Sequence, residues 1–147
     1  MAQISIRRMA ESDLDMVSKI EEEVFSDPWS PNAFKTDLHN EMAFPMVAVL
    51  ENKIVGYTNI YIVAGEVQIG NFAVSLGFRK RGVGKKLMDE ILARARENKC
   101  HTLFLEVRES NEPAMELYKS FGFAISGKRK NYYSSPKENA IIMVREL

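Results

Sequence analysis

The sequence predicts an α/β fold: a mixed, mainly antiparallel sheet of about seven strands with helices on both faces. Three observations carry this expectation. Short apolar segments with strand character recur along the chain, separated by segments whose apolar residues fall at helical spacing. A dense run, Thr102-Leu103-Phe104-Leu105-Glu106-Val107, looks like an interior strand in a parallel arrangement covered by helices. A strand, a glycine turn and a helix start follow one another between Val67 and Leu87.

In order, Ile4 to Arg8 reads as the first strand. Ser12 is the expected cap of a helix reaching about Phe25, with Leu14, Val17, Ile20 and Val24 on one face. Trp29-Ser30-Pro31-Asn32-Ala33-Phe34 is a sharper signal, with Ser at the N-cap, Pro at the first helical position and a Trp–Phe staple. It predicts a short helix from about Pro31 to His39. The Ser26–Trp29 loop before it either completes that staple or contacts a substrate. Met46 to Leu50 and Ile54 to Val63 read as strands joined by a turn at Glu51-Asn52-Lys53.

The next strand, Val67 to Val74, changes phase. Val67 and Ile69 lie on one face of a regular strand, Phe72 and Val74 on the other. A β-bulge near Gly70-Asn71 would restore common burial and leave backbone groups free for a ligand. The alternative is a sheet covered on both faces here.

Arg79-Lys80-Arg81-Gly82-Val83-Gly84-Lys85-Lys86 then opens an amphipathic helix that ends near Asn98-Lys99. Unpaired N–H groups and a positive dipole end make a helix start an anion site, and glycines let a ligand approach the backbone. The two familiar phosphate signatures fail: Val83 stands where a P-loop needs Lys, and Leu87 where a dinucleotide fingerprint needs Gly. What remains is Arg79-x-x-Gly82-x-Gly84. By itself this short pattern could equally be a surface helix cap with solvated charges.

Glu106 interrupts the interior strand. A carboxylate there is costly to bury without a partner or a task, unless the strand ends at Leu105 and Glu106 meets water. The last helix has Asn111 or Ser110 as cap, Pro113 in its first turn and Ala114, Leu117, Tyr118 and Phe121 on one face. Gly122 is its stop. Spacing alone makes Tyr118 a core tyrosine. Phe123 to Tyr133 and Ala140 to Arg145 close the sheet around a polar loop, Ser134–Asn139.

Composition narrows the function. The chain has 147 residues, the size of a single domain spanning 1–147, and 46% of them are hydrophobic. Lys plus Arg and Asp plus Glu both number 20, so bulk nucleic-acid binding is not expected. Local basic charge at 79–86 suits a small anionic ligand. Cys100 is the single cysteine, which fits a reducing compartment, and His39 and His101 form no metal-ligand cluster. Neither a signal peptide nor a bilayer span is expected, and the expected location is cytoplasmic.

Four pieces now fall in the order used by the GCN5-related N-acetyltransferases. They are the bulged strand, the Arg79-x-x-Gly82-x-Gly84 helix start, the strand ending Leu105-Glu106-Val107-Arg108, and the run from Asn111 through Leu117-Tyr118 to Gly122-Phe123. Together they resemble that family specifically. Asp27-Pro28-Trp29-Ser30, Glu109-Ser110-Asn111 and Asn131-Tyr132-Tyr133 are similar to its bacterial branch that acetylates ribosomal-protein alanines. The resemblance implies the GCN5-related acetyltransferase fold, acetyl-CoA as cosubstrate, no metal, and a protein N-terminus as acceptor, most specifically that of a small-subunit ribosomal protein; the alternatives are acetylation of a lysine side chain or a small amine, or a non-catalytic acyl-CoA-binding regulator, which would need neither Glu106 nor Tyr118. It implies no direct nucleic-acid or membrane partner. Phe72, Ala73 and Val74 should pair with the pantetheine arm. Lys80, Arg81, Gly82, Val83, Gly84 and Lys85 should cradle the pyrophosphate, and Asn111 should bond the cofactor near its thiol end.

Glu106 should be the general base and Tyr118 the general acid. An amine attacks a thioester only when neutral, and an α-amine, with a pKa of about 7.7–8.0, gives up its proton more readily than lysine at about 10.4. The departing thiolate benefits from a proton, which displaces the core reading of Tyr118.

Overall fold

The computed structural model describes residues 3–147. Its seven-stranded sheet has the order β1-β2-β3-β4-β5-β7-β6. The strands are β1 (Ser5–Arg8), β2 (Ala43–Leu50), β3 (Lys53–Val63), β4 (Glu66–Val74), β5 (Thr102–Arg108), β6 (Ala124–Ser134) and β7 (Lys137–Glu146). The helices are α1 (Leu14–Val24), α2 (Pro31–Leu38), α3 (Val83–Glu97) and α4 (Glu112–Ser120). Every neighbouring pair is antiparallel except β4 with β5. The mixed, mainly antiparallel expectation therefore holds.

Strand alternation sorts the core into two layers. Met46 and Ala48 face α3, whose Val83, Leu87, Met88, Ile91, Leu92 and Ala95 are all buried. Val47 and Tyr57 face the other way, against Val17 and Ile20 of α1 and Phe34 of α2. Burying each large apolar side chain contributes about 1.5–3 kcal/mol, so the α3 stripe is a principal anchor of the sheet. Gly56 makes that contact possible, since a Cβ there would stand 2.9 Å from the Ala73 carbonyl and 3.0 Å from Val83.

Most local signals resolve as expected. Ser30 Oγ accepts from Ala33 N–H, and the Trp29 and Phe34 rings lie 5.4 Å apart. Asn111 caps α4 through Ala114 N–H at 3.2 Å. Gly122 has φ +89, and Phe123 and Gly122 donate to the carbonyls of Tyr118 and Lys119, which closes a Schellman motif.

Two local expectations change. Ser12 is not the cap of α1: it lies in a 3-10 turn, Glu11–Asp13, and the Asp13 carboxylate takes the Ala10 N–H at 2.7 Å. The expected polar loop Ser134–Asn139 is mostly strand, because Lys137–Asn139 pair into β7. Glu138 holds the start of that strand by accepting from Ser110 N–H and pairing with Arg108 at 3.2 Å.

The bulge lies where the phase slip predicts it. Thr58 pairs with Phe72 and Ile60 with Ile69, so Gly70 and Asn71 together oppose Asn59. Val67, Ile69 and Phe72 consequently share one core. Parallel pairing of β4 with β5 covers only Glu66–Ile69 against Thr102–Leu105. Beyond Ile69 the two strands part, and the β4 edge from Gly70 to Val74 faces a gap.

Candidate active site

That gap widens into a cavity of about 1300 Å³. Its walls are the α1–α2 connection, the bulged half of β4, the Arg79–Lys85 turn, the end of β5, the first turns of α4, and Tyr132 and Tyr133 of β6. Phe72, Ala73, Val74, Lys80, Gly82, Val83, Gly84, Lys85, Glu106, Asn111 and Tyr118 all line it. The structure thus gathers every residue singled out from the sequence except Arg81. The Arg81 guanidinium instead stacks on the Phe78 ring at 5.3 Å.

The glycine turn is built for close approach. Gly82 has φ +84 and is the N-cap of α3, and a Cβ there would meet nothing within 4 Å. Lys80 also has positive φ, at 62°. Left-handed residues in such a turn let successive N–H groups converge on one point, the geometry of an anion nest. The unpaired N–H groups at the start of α3 add the positive end of its dipole. The opposite wall, the open β4 edge, offers backbone donors and acceptors that no strand uses.

Glu106 lies in strand, not beyond it: β5 continues to Arg108, and Glu106 pairs in register with Ile142. Its side chain is 9% exposed, with Oε1 3.4 Å from Arg129 Nε. Oε2 is buried without a hydrogen-bond partner among the described residues. A carboxylate oxygen placed so in a cavity wall can accept a hydrogen bond from a ligand. Burial pushes the Tyr133 phenol up to about 12, and the nearby Glu106 charge adds to that. Tyr132 is raised too, by burial first, then by a hydrogen-bonding approach to the Glu106 carboxylate and by its charge.

Tyr118 is buried edge-on between Phe72, at 5.8 Å, and Phe123, at 6.0 Å. Burial raises its pKa, so the hydroxyl keeps its proton throughout the physiological range. A neutral O–H bordering the cavity can donate to a developing anion.

Sequence reasoning missed a polar network beneath the bulge. The Glu21 carboxylate accepts from Trp29 N–H, the Tyr57 hydroxyl and Asn71 Nδ2. A signal was present: Leu14, Val17, Glu21 and Val24 follow helical spacing, which places a carboxylate on the buried stripe of α1. Asp37 of α2 accepts from Asn59 and Tyr61 in the same region. Among the described residues no group of His, Cys, Asp or Glu could hold a metal ion. No helix among them is long and apolar enough to cross a membrane.

An open strand edge, a glycine-turned helix start, a buried carboxylate and a buried tyrosine share one cavity, an arrangement suited to an acyl-CoA-dependent transferase. The profile of the Acetyltransferase (GNAT) family matches residues 14–123, and the chain belongs to that family. It is an acetyl-CoA-dependent N-acetyltransferase.

Particular relatives narrow the comparison. A Bacillus subtilis protein, named as a candidate ribosomal protein bS18-alanine N-acetyltransferase, is 37% identical over 95% of this chain and 93% of its own. The crystal structure of the ribosomal-protein-S18-alanine N-acetyltransferase from Escherichia coli superposes with a TM-score of 0.89. It is 29% identical, over 98% of this chain and 94% of that one. Arabidopsis thaliana NAA60, solved in complex with acetyl-CoA, shares the fold at a TM-score of 0.89 and 20% identity, over 99% of each chain.

Proposed function

We propose that this enzyme transfers acetyl to the N-terminal α-amine of a protein, most specifically the N-terminal alanine of a small-subunit ribosomal protein. The printed activity of relatives that align along nearly the whole chain supports that acceptor. The observation that carries the chemistry is Glu106, a buried carboxylate with one unshared oxygen where β4 and β5 part.

Phe72, Ala73 and Val74 present the open β4 edge to the pantetheine arm, which lies along it like an added strand. Lys80, Gly82, Val83, Gly84 and Lys85 cradle the pyrophosphate, with Arg81 close by on its stack. Asn111, whose Oδ1 is committed to capping α4, offers Nδ2 to the cofactor near its thiol end. Glu106 takes the proton from the attacking amine, directly or through a water. A free N–H of the β4 edge near Val74 stabilises the oxyanion, and Tyr118 protonates the departing thiolate. The chain 1–147 acts as one domain in the cytoplasm, without a metal and without direct contact to nucleic acid or membrane.

Mass spectrometry of ribosomal proteins from a deletion strain tests the acceptor. One small-subunit protein should gain a free N-terminal alanine. An unchanged set of N-termini would remove this assignment.

A further inference from the structure

The cavity borders a second buried carboxylate that the proposed chemistry does not use. Glu21 is 1% exposed. Its oxygens accept from Trp29 N–H at 2.9 Å, from the Tyr57 hydroxyl, and from Asn71 Nδ2 at 2.9 and 3.1 Å. A carboxylate has about four acceptor positions, and these donors occupy them. With its acceptor positions filled, Glu21 acts through the groups it holds.

Its donors belong to three separate elements: the α1–α2 connection, β3 and the β4 bulge. Asn71 is held a second time, since its carbonyl accepts from Thr58 Oγ1 at 2.8 Å. On the opposite side of the bulge, the Asn59 side chain donates to Asp37 of α2. Side chains thus fix the bulge where the strand ladder is interrupted.

We propose that Glu21 is a positioning residue for acetyl transfer: it clamps the β4 bulge to the α1–α2 connection and so aligns the open β4 edge with Glu106. This rests on the reading that the β4 edge carries the thioester to Glu106 as the general base. A shift of about 1 Å in a reacting group can cost about 10²-fold in rate, so a loosened clamp is read in turnover. Affinity for acetyl-CoA, to which the glycine turn contributes without the clamp, should change far less.

Glu21→Gln keeps the shape but sets an NH₂ against the N–H and O–H donors. The expected result is a fall in kcat of about 10–100-fold per folded molecule, with acetyl-CoA affinity within about threefold of wild type. Asn71→Ala, which cuts the same bond from the other side, should show a similar fall. The double variant should be no worse than the poorer single variant, because both act through one contact. Wild-type kcat in folded Glu21→Gln and Asn71→Ala, with only the melting temperature lowered, overturns the proposal. Fully additive losses in the double variant overturn it as well. Should Glu21→Gln fail to fold, Asn71→Ala alone decides: lost turnover at preserved affinity supports the clamp, and wild-type turnover refutes it. Failure of the underlying reading has a different signature, which is wild-type kcat in Glu106→Gln.

Discussion

Replacing Glu106 by Gln separates catalysis from folding because of how its two oxygens are placed. Oε1 meets Arg129 at 3.4 Å, but Arg129 is 56% exposed and is solvated once the pair is lost. With one partner this exposed, the pair contributes about 0–1 kcal/mol. Oε2 is buried with no hydrogen-bond partner among the described residues, so removing the charge there relieves a desolvation cost. The two effects oppose each other, and the melting temperature should move by no more than about 4 °C. Turnover should fall by roughly 10²–10⁴, the range for a positioned base.

The pH profile of the variant also reports on the acceptor. With no base, the rate follows the fraction of neutral amine, rising about tenfold per pH unit until the amine's own pKa. On an alanine-starting peptide the rise should level off near pH 8. On an N-terminally blocked peptide with an internal lysine it should continue for about 2.5 units more. The assay is thiol release against pH with both peptides. A Gln variant as active as wild type at pH 7 refutes the base assignment. Equal wild-type activity on the two peptides refutes the α-amine preference.

Further outcomes follow from the same cavity and fold. Tyr118→Phe keeps the ring contacts to Phe72 and Phe123 and should lower kcat by roughly 10²–10⁴ with little change in KM for acetyl-CoA; a loss of stability alone would leave Tyr118 as core. At Gly84 a Cβ would lie 3.7 Å from the Phe72 ring, an ordinary contact, so Gly84→Val should fold normally by circular dichroism yet bind acetyl-CoA much more weakly by calorimetry. Gly82→Ala forces a left-handed alanine at φ +84, costing about 1–2 kcal/mol, or roughly 5–30-fold in acetyl-CoA affinity if paid on binding. Arg7 donates to both oxygens of Asp13, at 2.7 and 2.9 Å, and holds that carboxyl below the usual aspartate range. The stability it contributes is full above the ordinary aspartate pKa, about 3.9, and lost as pH falls through the lowered value. Asp13→Asn should cost about 1 kcal/mol in neutral urea melts, discounted for the half-exposed arginine, and shrink the acid-dependent loss.

The elements most legible in the sequence are those whose cause is local. Ser30-Pro31 and Asn111 announce helix starts because capping needs only neighbouring N–H groups. The bulge at Gly70-Asn71 is readable because strand faces alternate, and a slipped apolar pattern has few other remedies. Where a distant partner decides, the reading fails. Asp13 displaces Ser12 at the start of α1 because Arg7 of β1 reaches it. Lys137–Asn139 have weak strand character and are recruited by the β6 ladder and by Arg108. Glu21 is intermediate: its place on the apolar stripe of α1 was visible, but its donors, 8, 36 and 50 residues away in sequence, were not.

The parting of β4 and β5 also bears on mechanics. The sheet is continuous from β1 to β4 and from β5 to β6, yet the two halves share only the short parallel ladder from Glu66 to Ile69. That junction is the seam along which the sheet is easiest to open. On the proposed reading, a pantetheine arm laid on the free edge would act as a stitch at this seam, adding ladder bonds to β4 where the protein supplies none. Cosubstrate binding should therefore slow amide exchange in Gly70–Val74 and beyond Leu105 more than in β2 or β3, and raise the melting temperature with acetyl-CoA concentration. Resistance of the folded enzyme to local opening would then rise and fall with the supply of the thioester it consumes.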